Sequence, residues 1–166
     1  MALGQQEQTD KLIEEFGRQI LVPGIDEAGQ LNISKKKVCI IGLGALGTVA
    51  SQYLVRAGVG EIHLIDHDKI EKSNLHRQIN YDLNDIGESK SKISKHKLKR
   101  VNNTTIIKEH SLNFKFFIEE NPNIKFDLIF DCTDNHQNKI FSSRFSKINK
   151  ISFVSISINS SEGIYF

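Results

Sequence analysis

The chain has 166 residues, which suits one domain with a sizeable core, and its 39% hydrophobic content is ordinary for a soluble protein. Its 22 basic and 20 acidic residues give a formal net charge of only +2, so no overall field would recruit nucleic acid or an anionic membrane. No apolar run approaches the roughly 18 residues of a membrane span, and the polar N-terminus has no signal-type apolar core, so a cytoplasmic location is expected.

The N-terminal part of the sequence predicts a helix over residues 7–19, followed by a turn-rich stretch that contains Pro23 and Gly29. We expect this lead-in, residues 1–36, to pack on a core domain at 37–166. The two cysteines form no CxxC pair and the six histidines show no ligand-like pairing. Neither a disulfide framework nor a zinc site is therefore predicted.

A glycine-rich hexamer, GLGALG at 42–47, follows an apolar strand pattern and is the most informative feature. In such loops the first glycine, Gly42, permits a tight turn, Gly44 lets the backbone approach a pyrophosphate, and Gly47 lets helix and strand pack closely. Asp66, 24 residues after Gly42, has the spacing of a ribose-binding acid. The hexamer alone also fits a glycine-rich turn in an unrelated α/β domain. Together these features predict an adenine nucleotide, without choosing between ATP and NAD.

The remaining pattern alternates between helix and strand. After the hexamer it predicts a helix at 45–57, a strand at 61–66, a polar loop at 67–87, a helix at 88–101, a strand at 105–108, a helical piece at 113–119, a strand at 126–130, a helix ending near 148, and a hairpin of strands 152–158 and 163–166. This order indicates an α/β fold with a Rossmann-like, mostly parallel sheet and helices on both faces. Because the chain stops in a strand, we expect a fragment or an unusually short relative of a longer protein.

Polar segments follow the first, second and fourth predicted strands, and in an open α/β sheet such segments converge on one pocket. They are the glycine loop, residues 66–78 and residues 131–135, and Lys90 can reach in from the next helix. A pocket with Arg77, Lys90 and a carboxylate such as Asp134 suits a triphosphate with magnesium, because the cations neutralise phosphate oxygens and the carboxylate holds the metal. NAD carries only a diphosphate and does not need this combination of two cations and a carboxylate.

Two of these residues have plainer interpretations. Lys90 opens a run of basic residues, and on a helix such a run is typically a solvated face, so the pattern alone favours solvent for Lys90. Asp134 could cap the following helix, since short polar side chains accept hydrogen bonds from free amides at helix N-termini. Cap and metal contact are compatible with different members of the set Asp131, Asp134 and Asn135.

Five motifs occur in order along the chain: GLGALG at 42–47, DHD at 66–68, NLHRQ at 74–78, GESK at 87–90 and CTDN at 132–135. In this order and spacing they resemble the ThiF/MoeB/HesA family, the bacterial relatives of ubiquitin-activating enzymes. The likeness also includes GRQI at 17–20 and EGIYF at 162–166, and so spans nearly the whole chain.

The resemblance implies an ATP-dependent adenylyltransferase, or its N-terminal part, that activates the C-terminal carboxylate of a ubiquitin-like or sulfur-carrier protein, or of a related peptide or small acid. It implies roles for Arg77 and Lys90 on the phosphates, for Asp66 on the ribose, for Asp68, Asn74 and Gln78 in the nucleotide pocket, and for Asp134 on Mg²⁺ and the reacting centre. Arg18 resembles the arginine that family dimers insert into the neighbouring site, which implies a homodimer. Without the resemblance, Arg18 could be a surface arginine near a helix end.

The sequence also departs from the family. Longer members continue past the position of residue 166 into a crossover segment, often with a cysteine and paired CxxC zinc ligands, and this sequence has no counterpart. Cys132 belongs to the nucleotide motif and is not predicted to be a catalytic thiol. A non-catalytic docking subunit and an NAD-dependent oxidoreductase stay open as alternatives. An oxidoreductase would, however, give Arg77, Lys90 and Asp134 no role.

Overall fold

One sheet organises the chain, for which a computed structural model describes residues 2–159 and 162–165, with side chains over 10–158. Its strands are β1 (Lys37–Ile41), β2 (Glu61–Ile65), β3 (Ile106–His110), β4 (Leu128–Asp131), β5 (Ser152–Asn159) and β6 (Glu162–Tyr165). The helices are α1 (Ala2–Ile20), α2 (Asp26–Ile33), α3 (Ala45–Arg56), α4 (Lys90–Lys99), α5 (Phe114–Glu120) and α6 (His136–Asn149). No described helix is both long and apolar enough to cross a membrane.

The strand order is β3-β2-β1-β4-β5-β6, in which β1 to β5 run parallel and β6 pairs antiparallel with β5. The predicted α/β fold and the closing hairpin are confirmed, apart from Phe166, which lies outside the described residues. The chain moves from β1 out to β3 and then crosses to β4 on the other side of β1. Connections at the carboxyl ends of β1 and β4 therefore diverge, and an open parallel sheet binds its ligands in the crevice that this leaves.

Both faces of the sheet are covered, because successive residues of a strand point to opposite sides. On one face Val38 and Ile40 pack with apolar residues of α3 and α4. On the other face Cys39 and Ile41 pack with Phe117 of α5 and with neighbouring aromatic residues. The central strand β1 is thus buried on both sides, which explains its unbroken apolar run. Cys39 is a fully buried residue of this core.

The turn-rich interpretation of the stretch before β1 was wrong for eight residues, which form α2. Gly29 lies within this helix, and tertiary contacts outweigh its low helix propensity. The buried amide of Gln30 donates to the carbonyl of Ala57 at 3.0 Å, and Gln19 of α1 donates to the same carbonyl at 3.1 Å. Two glutamines therefore fix α1 and α2 to the end of α3, which no local pattern reveals.

A row of hydrogen-bonded ionisable groups lies beneath α5. His63 Nε2 is 2.7 Å from Glu61 Oε1, and His63 Nδ1 is 3.0 Å from His110 Nε2. Because a carboxylate only accepts, neutral His63 donates from Nε2 and accepts at Nδ1, so His110 donates from Nε2. The His110 ring also packs 4.5 Å from the ring of Phe117. Burial lowers the pKa of His63, and burial together with His63 lowers the pKa of His110 to about 4.

This row predicts acid sensitivity. A histidine whose folded pKa lies below its ordinary value of 6.5 stabilises the fold fully above pH 6.5, and the stabilisation is lost as the pH falls toward 4. Between pH 7 and pH 5 the free energy of unfolding should fall by about 1 kcal/mol more in the wild type than in His110→Gln, an amount reduced because the ring is partly exposed. Urea unfolding at both pH values measures this. His96→Gln, at an exposed position on α4, should keep the wild-type dependence, and an unchanged dependence in His110→Gln would contradict the assignment.

Candidate functional site

A cleft of about 700 Å³ opens at the carboxyl ends of β1, β2 and β4, where the strand order reverses. Its volume is within the range of small-molecule sites in proteins. The three segments expected to converge do meet here. The predicted site residues that line the cleft are Gly42, Gly44, Asp66, Asp68, Asn74, Arg77, Gln78, Lys90 and Asp134.

The glycine loop turns from β1 into α3 with little room for side chains. Gly42 has a φ of +84°, and a Cβ there would lie 3.2 Å from the backbone nitrogen of Thr133. A Cβ on Gly47 would lie 1.8 Å from the Gly42 carbonyl oxygen, so Gly47 lies behind the cleft and permits the close packing of helix and strand. Gly44 begins α3 without a side-chain cap, and the first turn of α3 borders the cleft. Uncapped amides at a helix N-terminus are a ready site for a phosphate.

Asp66 fastens this loop to the end of β2. One carboxylate oxygen accepts from the backbone amide of Leu43 at 2.6 Å, and the other accepts from the amide of Asp68 at 2.8 Å. The side chain is buried, and burial raises its pKa from the ordinary value. Each oxygen retains a second lone pair, so the carboxylate can still accept a hydroxyl hydrogen from a ligand in the cleft.

Lys90 faces the cleft instead of solvent, which corrects the interpretation drawn from its basic run. Only 6% of the residue is exposed, and its ammonium donates to Asp68 Oδ2 at 2.8 Å. The side chain lies in the first turn of α4, whose N-cap is Ser89. The basic residues of this helix do not share one environment. Lys92 and Lys99 point to solvent, whereas Lys90 lies on another face of the helix and points inward. A nearly buried cation thus lies on the cleft wall, paired with one exposed carboxylate.

The NLHRQ segment supplies one side of the cleft. Asn74 is buried and accepts from the amide of Glu71 at 3.1 Å within a single 3-10 turn. Arg77 is exposed, and its guanidinium donates to the carbonyl of Ser73 at 2.9 Å. Gln78 is 3% exposed, and its side-chain oxygen has no hydrogen-bond partner among the described residues. A buried acceptor without a donor is costly, so a ligand donor in the cleft would satisfy it.

Tyr81 also belongs to this side, although no motif in the sequence singled it out. Its buried hydroxyl donates to the Leu43 carbonyl at 3.0 Å and lies 3.1 Å from Ser94 Oγ of α4. Burial raises its pKa, so the hydroxyl stays protonated and able to donate. Tyr81 therefore ties the glycine loop to α4. The signal available in the sequence was an aromatic residue three positions after Gln78.

The loop after β4 presents Asp134 to the cleft. Asn135 caps α6 by accepting from the amides of Gln137 at 2.8 Å and Asn138 at 3.2 Å. Asp131 turns inward and accepts from the amide and hydroxyl of Thr133. Asp134 is exposed, and within residues 10–158 no donor reaches its carboxylate. Of the three candidates for the helix cap, the cap is Asn135, which leaves Asp134 available to a cation.

Arg18 lies apart from the cleft. It is an exposed residue on α1, beside a second cavity of about 730 Å³ that Ile13, Phe16, Leu21 and Arg56 also line. Within one chain it therefore does not meet the other predicted site residues.

Two further groups have limited chemistry. Burial and the neighbouring Asp131 raise the pKa of the Cys132 thiol to about 12, so it is not poised as a nucleophile. In the part of the chain with described side chains, one group has metal-ligand spacing: Asp66, His67 and Asp68 place ligand atoms within 4.8 Å of one another. Asp66 already accepts from two amides, and Asp68 pairs with a lysine.

Comparison with known proteins gives a consistent set of matches. A model of the ThiF family matches residues 16–165. The adenylyltransferase and sulfurtransferase MOCS3 of Drosophila persimilis is 36% identical over 135 residues, which cover 81% of this chain and 30% of that protein. The sulfur carrier protein adenylyltransferase of Thermus thermophilus is 32% identical over 129 residues, which cover 76% of this chain and 47% of that protein. The chain thus spans less than half the length of these two relatives.

Solved structures with a similar fold include two from E. coli. E. coli MccB with ATP is 28% identical with a TM-score of 0.70, and the match covers 77% of this chain and 38% of that one. E. coli tRNA N6-threonylcarbamoyladenosine dehydratase, TcdA, superposes with a TM-score of 0.80 at 22% identity, covering 88% of this chain and 60% of that one. The second match shows the fold alone.

The glycine loop yields a direct test of the packing. Gly47→Ala would force its new methyl group into the Gly42 carbonyl, and overpacking of this kind costs about 1–3 kcal/mol or more. The midpoint of thermal unfolding should therefore fall by several degrees. Gly17→Ala on α1, where a Cβ meets nothing closer than 3.9 Å, should leave the midpoint unchanged or raise it. Equal midpoints for the two variants would show that the loop is not packed in this way.

Proposed function

This chain belongs to the ThiF family, and from that premise we propose that its cleft binds ATP with magnesium and adenylates a carboxylate. The acceptor would be the C-terminal carboxylate of a ubiquitin-like or sulfur-carrier protein. One carboxylate oxygen attacks the α-phosphorus of ATP, the bond from that phosphorus to the bridging oxygen breaks, and pyrophosphate leaves with the electron pair. The product is an acyl-adenylate, and no nucleophile from the protein is required.

The observation that supports this proposal most is the charge arrangement in the cleft. Arg77 and Lys90 place two cations, and Asp134 one free carboxylate, around an uncapped helix N-terminus. A carboxylate attacking a triphosphate brings two anions together, so catalysis rests on charge neutralisation and positioning. NAD carries only two phosphates and needs no metal ion, so it would leave the carboxylate of Asp134 without a role. The relatives named as adenylyltransferases, and MccB with ATP, support the same nucleotide.

Roles within the cleft follow from burial and contact. Lys90 and Arg77 would bind the phosphate oxygens, since both border the cleft and Lys90 is already desolvated. Asp66 would accept the ribose hydroxyls through its remaining lone pairs, close to Asp68. Gln78 would accept a nucleotide donor at its unpartnered oxygen. Asp66 can accept these hydroxyls while it keeps its hydrogen bonds to the amides of Leu43 and Asp68, which hold the glycine loop.

The residues present fit magnesium. Mg²⁺ is usually held by one or two carboxylates together with substrate phosphates and water, and Asp134 offers one carboxylate that no described side chain engages. When bound, the ion would neutralise phosphate charge and draw electron density from the phosphorus. Asp134 would hold it, either directly or through water.

A homodimer is the second part of the proposal. Arg18 is exposed beside Ile13 and Leu21, of which Leu21 is 76% exposed, and Glu14, Glu27 and Arg56 border the same cavity, so apolar and charged side chains are both open to a partner. We propose that a second copy of the chain packs on this surface and that its Arg18 enters the neighbouring cleft. The cleft would then have three cations for the four charges of ATP.

Two other classes make different predictions. A docking subunit without catalysis would bind the partner protein and show no pyrophosphate exchange. An oxidoreductase would bind NAD more tightly than ATP with magnesium in calorimetry. Neither class gives Arg77, Lys90 and Asp134 a shared purpose.

The reaction is tested by ATP–pyrophosphate exchange with a recombinant sulfur-carrier protein as acceptor. Arg77→Ala should reduce the exchange rate on the order of a hundredfold, because one positioned cation is removed from the transition state. Arg144→Ala, at an exposed position on α6, is the matched control and should keep the wild-type rate. Exchange that survives in Arg77→Ala would remove this residue from the mechanism.

Subunit mixing tests the dimer. Arg18→Ala and Arg77→Ala should each be nearly inactive alone, whereas an equal mixture after subunit exchange should recover about a quarter of wild-type exchange, because half the dimers are mixed and each has one complete site. Absence of any recovery in the mixture would contradict a contribution of Arg18 from the neighbouring subunit, and full activity of Arg18→Ala alone would show that Arg18 has no role.

A further inference from the structure

Lys139 is a nearly buried cation that no motif singled out. Its side chain is 15% exposed, and its ammonium donates to Ser155 Oγ at 3.0 Å and to the Ile156 carbonyl at 3.2 Å. The same ammonium lies 3.6 Å from Asp131 Oδ1. Burying a lysine is costly unless its charge is paired and its donors are satisfied, and here the charge is paired with Asp131 and two of the three donors have acceptors.

Asp131, the anion of this pair, is fully buried at the end of β4. One oxygen accepts from the amide of Thr133 at 2.9 Å and from its hydroxyl at 2.7 Å. The other oxygen accepts from the hydroxyl of Ser142 on α6. This carboxylate therefore shapes the turn that ends one residue before Asp134.

The turn is held at both ends. Asp131 fastens its start, and Asn135 fastens its end by capping α6. Lys139, in the first turn of α6, pairs with Asp131 at the end of β4. The two segments that flank Asp134 are therefore linked to each other. Only a few backbone dihedrals separate Asp134 from these two anchors, so its position depends on them.

Lys139 also joins this turn to a second wall of the cleft. Its ammonium binds β5 at Ser155 and Ile156, immediately before Ser157 and Ile158, which line the cleft. In the strand order β5 lies beyond β4, whereas the glycine loop follows β1 on the other side of β4. The ammonium of Lys139 thus connects the turn that carries Asp134 to β5.

We infer that Lys139 is a positioning residue, which holds Asp134 and the β5 wall in register so that the acceptor carboxylate meets the α-phosphorus. This inference rests on the proposed function for its chemical meaning. Lys139 does not line the cleft, so it acts through Asp131 and β5 and not by touching the nucleotide. Its loss should therefore slow the reacting step more than it weakens nucleotide binding.

The variants are Lys139→Met, which keeps the chain length without the charge, and Lys139→Arg, which restores a cation. Lys147→Met, at an exposed position on the same helix, is the matched control. Amide hydrogen exchange of the protein without ligand comes first. In Lys139→Met the Thr133 amide should exchange about tenfold faster, because its acceptor Asp131 has lost its counter-charge. Lys147→Met should leave that amide unchanged.

Kinetics give the second readout. In ATP–pyrophosphate exchange with a recombinant sulfur-carrier protein, Lys139→Met should lower kcat about tenfold while KM for ATP changes less than about twofold, and Lys139→Arg should recover most of the loss. A purely structural role would lower the amount of folded enzyme without this division between kcat and KM. If Lys139→Met does not fold, Ser155→Ala removes one partner of the ammonium and should show both effects on a smaller scale.

The outcomes separate the two claims. An unchanged Thr133 amide in folded Lys139→Met overturns the inference, and so does a loss of kcat that arginine does not restore. A wild-type protein without exchange activity contradicts the proposed function, while the amide measurement still decides whether Lys139 holds the turn.

Discussion

The buried carboxylate of Asp66 is the contact on which the cleft depends. By accepting from the amides of Leu43 and Asp68, it fixes the glycine loop of β1 against the end of β2. Tyr81 supports the same loop from the other side through the Leu43 carbonyl. With the loop fixed, the first turn of α3 is aimed into the crevice, and the amides there need no rearrangement to meet an anion. Preorganised donors are the ones that favour charge in a transition state.

Local charge, not overall charge, gives the cleft its character. The chain is nearly neutral, yet Lys90 and Arg77 both line the cleft. Lys90 is the more informative of the two, because desolvation is unfavourable for an ammonium and is tolerated here through Asp68. Arg77 stays exposed and is held by a backbone carbonyl, so it can move toward a ligand without breaking a buried ion pair. The two cations therefore differ in how much they must reorganise on binding.

Patterns in the sequence predicted the parallel sheet and the convergence of three segments on one cleft, because strand alternation and glycine spacing are local signals. They failed where long-range contacts decide. The helix α2 formed despite Gly29 because Gln30 reaches Ala57, 27 residues away. Lys90 turned inward, and Lys139 entered a buried cluster, although both stand among residues typical of solvated helices. The pairing of His63 with His110 needed the register of β2 with β3, which no single-strand pattern contains.

In the proposed mode of binding, the crevice holds three linked phosphates and a metal ion. A crystal structure with a non-hydrolysable ATP analogue and magnesium would show this arrangement. Phosphate oxygens should lie against the guanidinium of Arg77 and the ammonium of Lys90, with the metal at the carboxylate of Asp134. A bound analogue from which Arg77 and Asp134 both point away would contradict it.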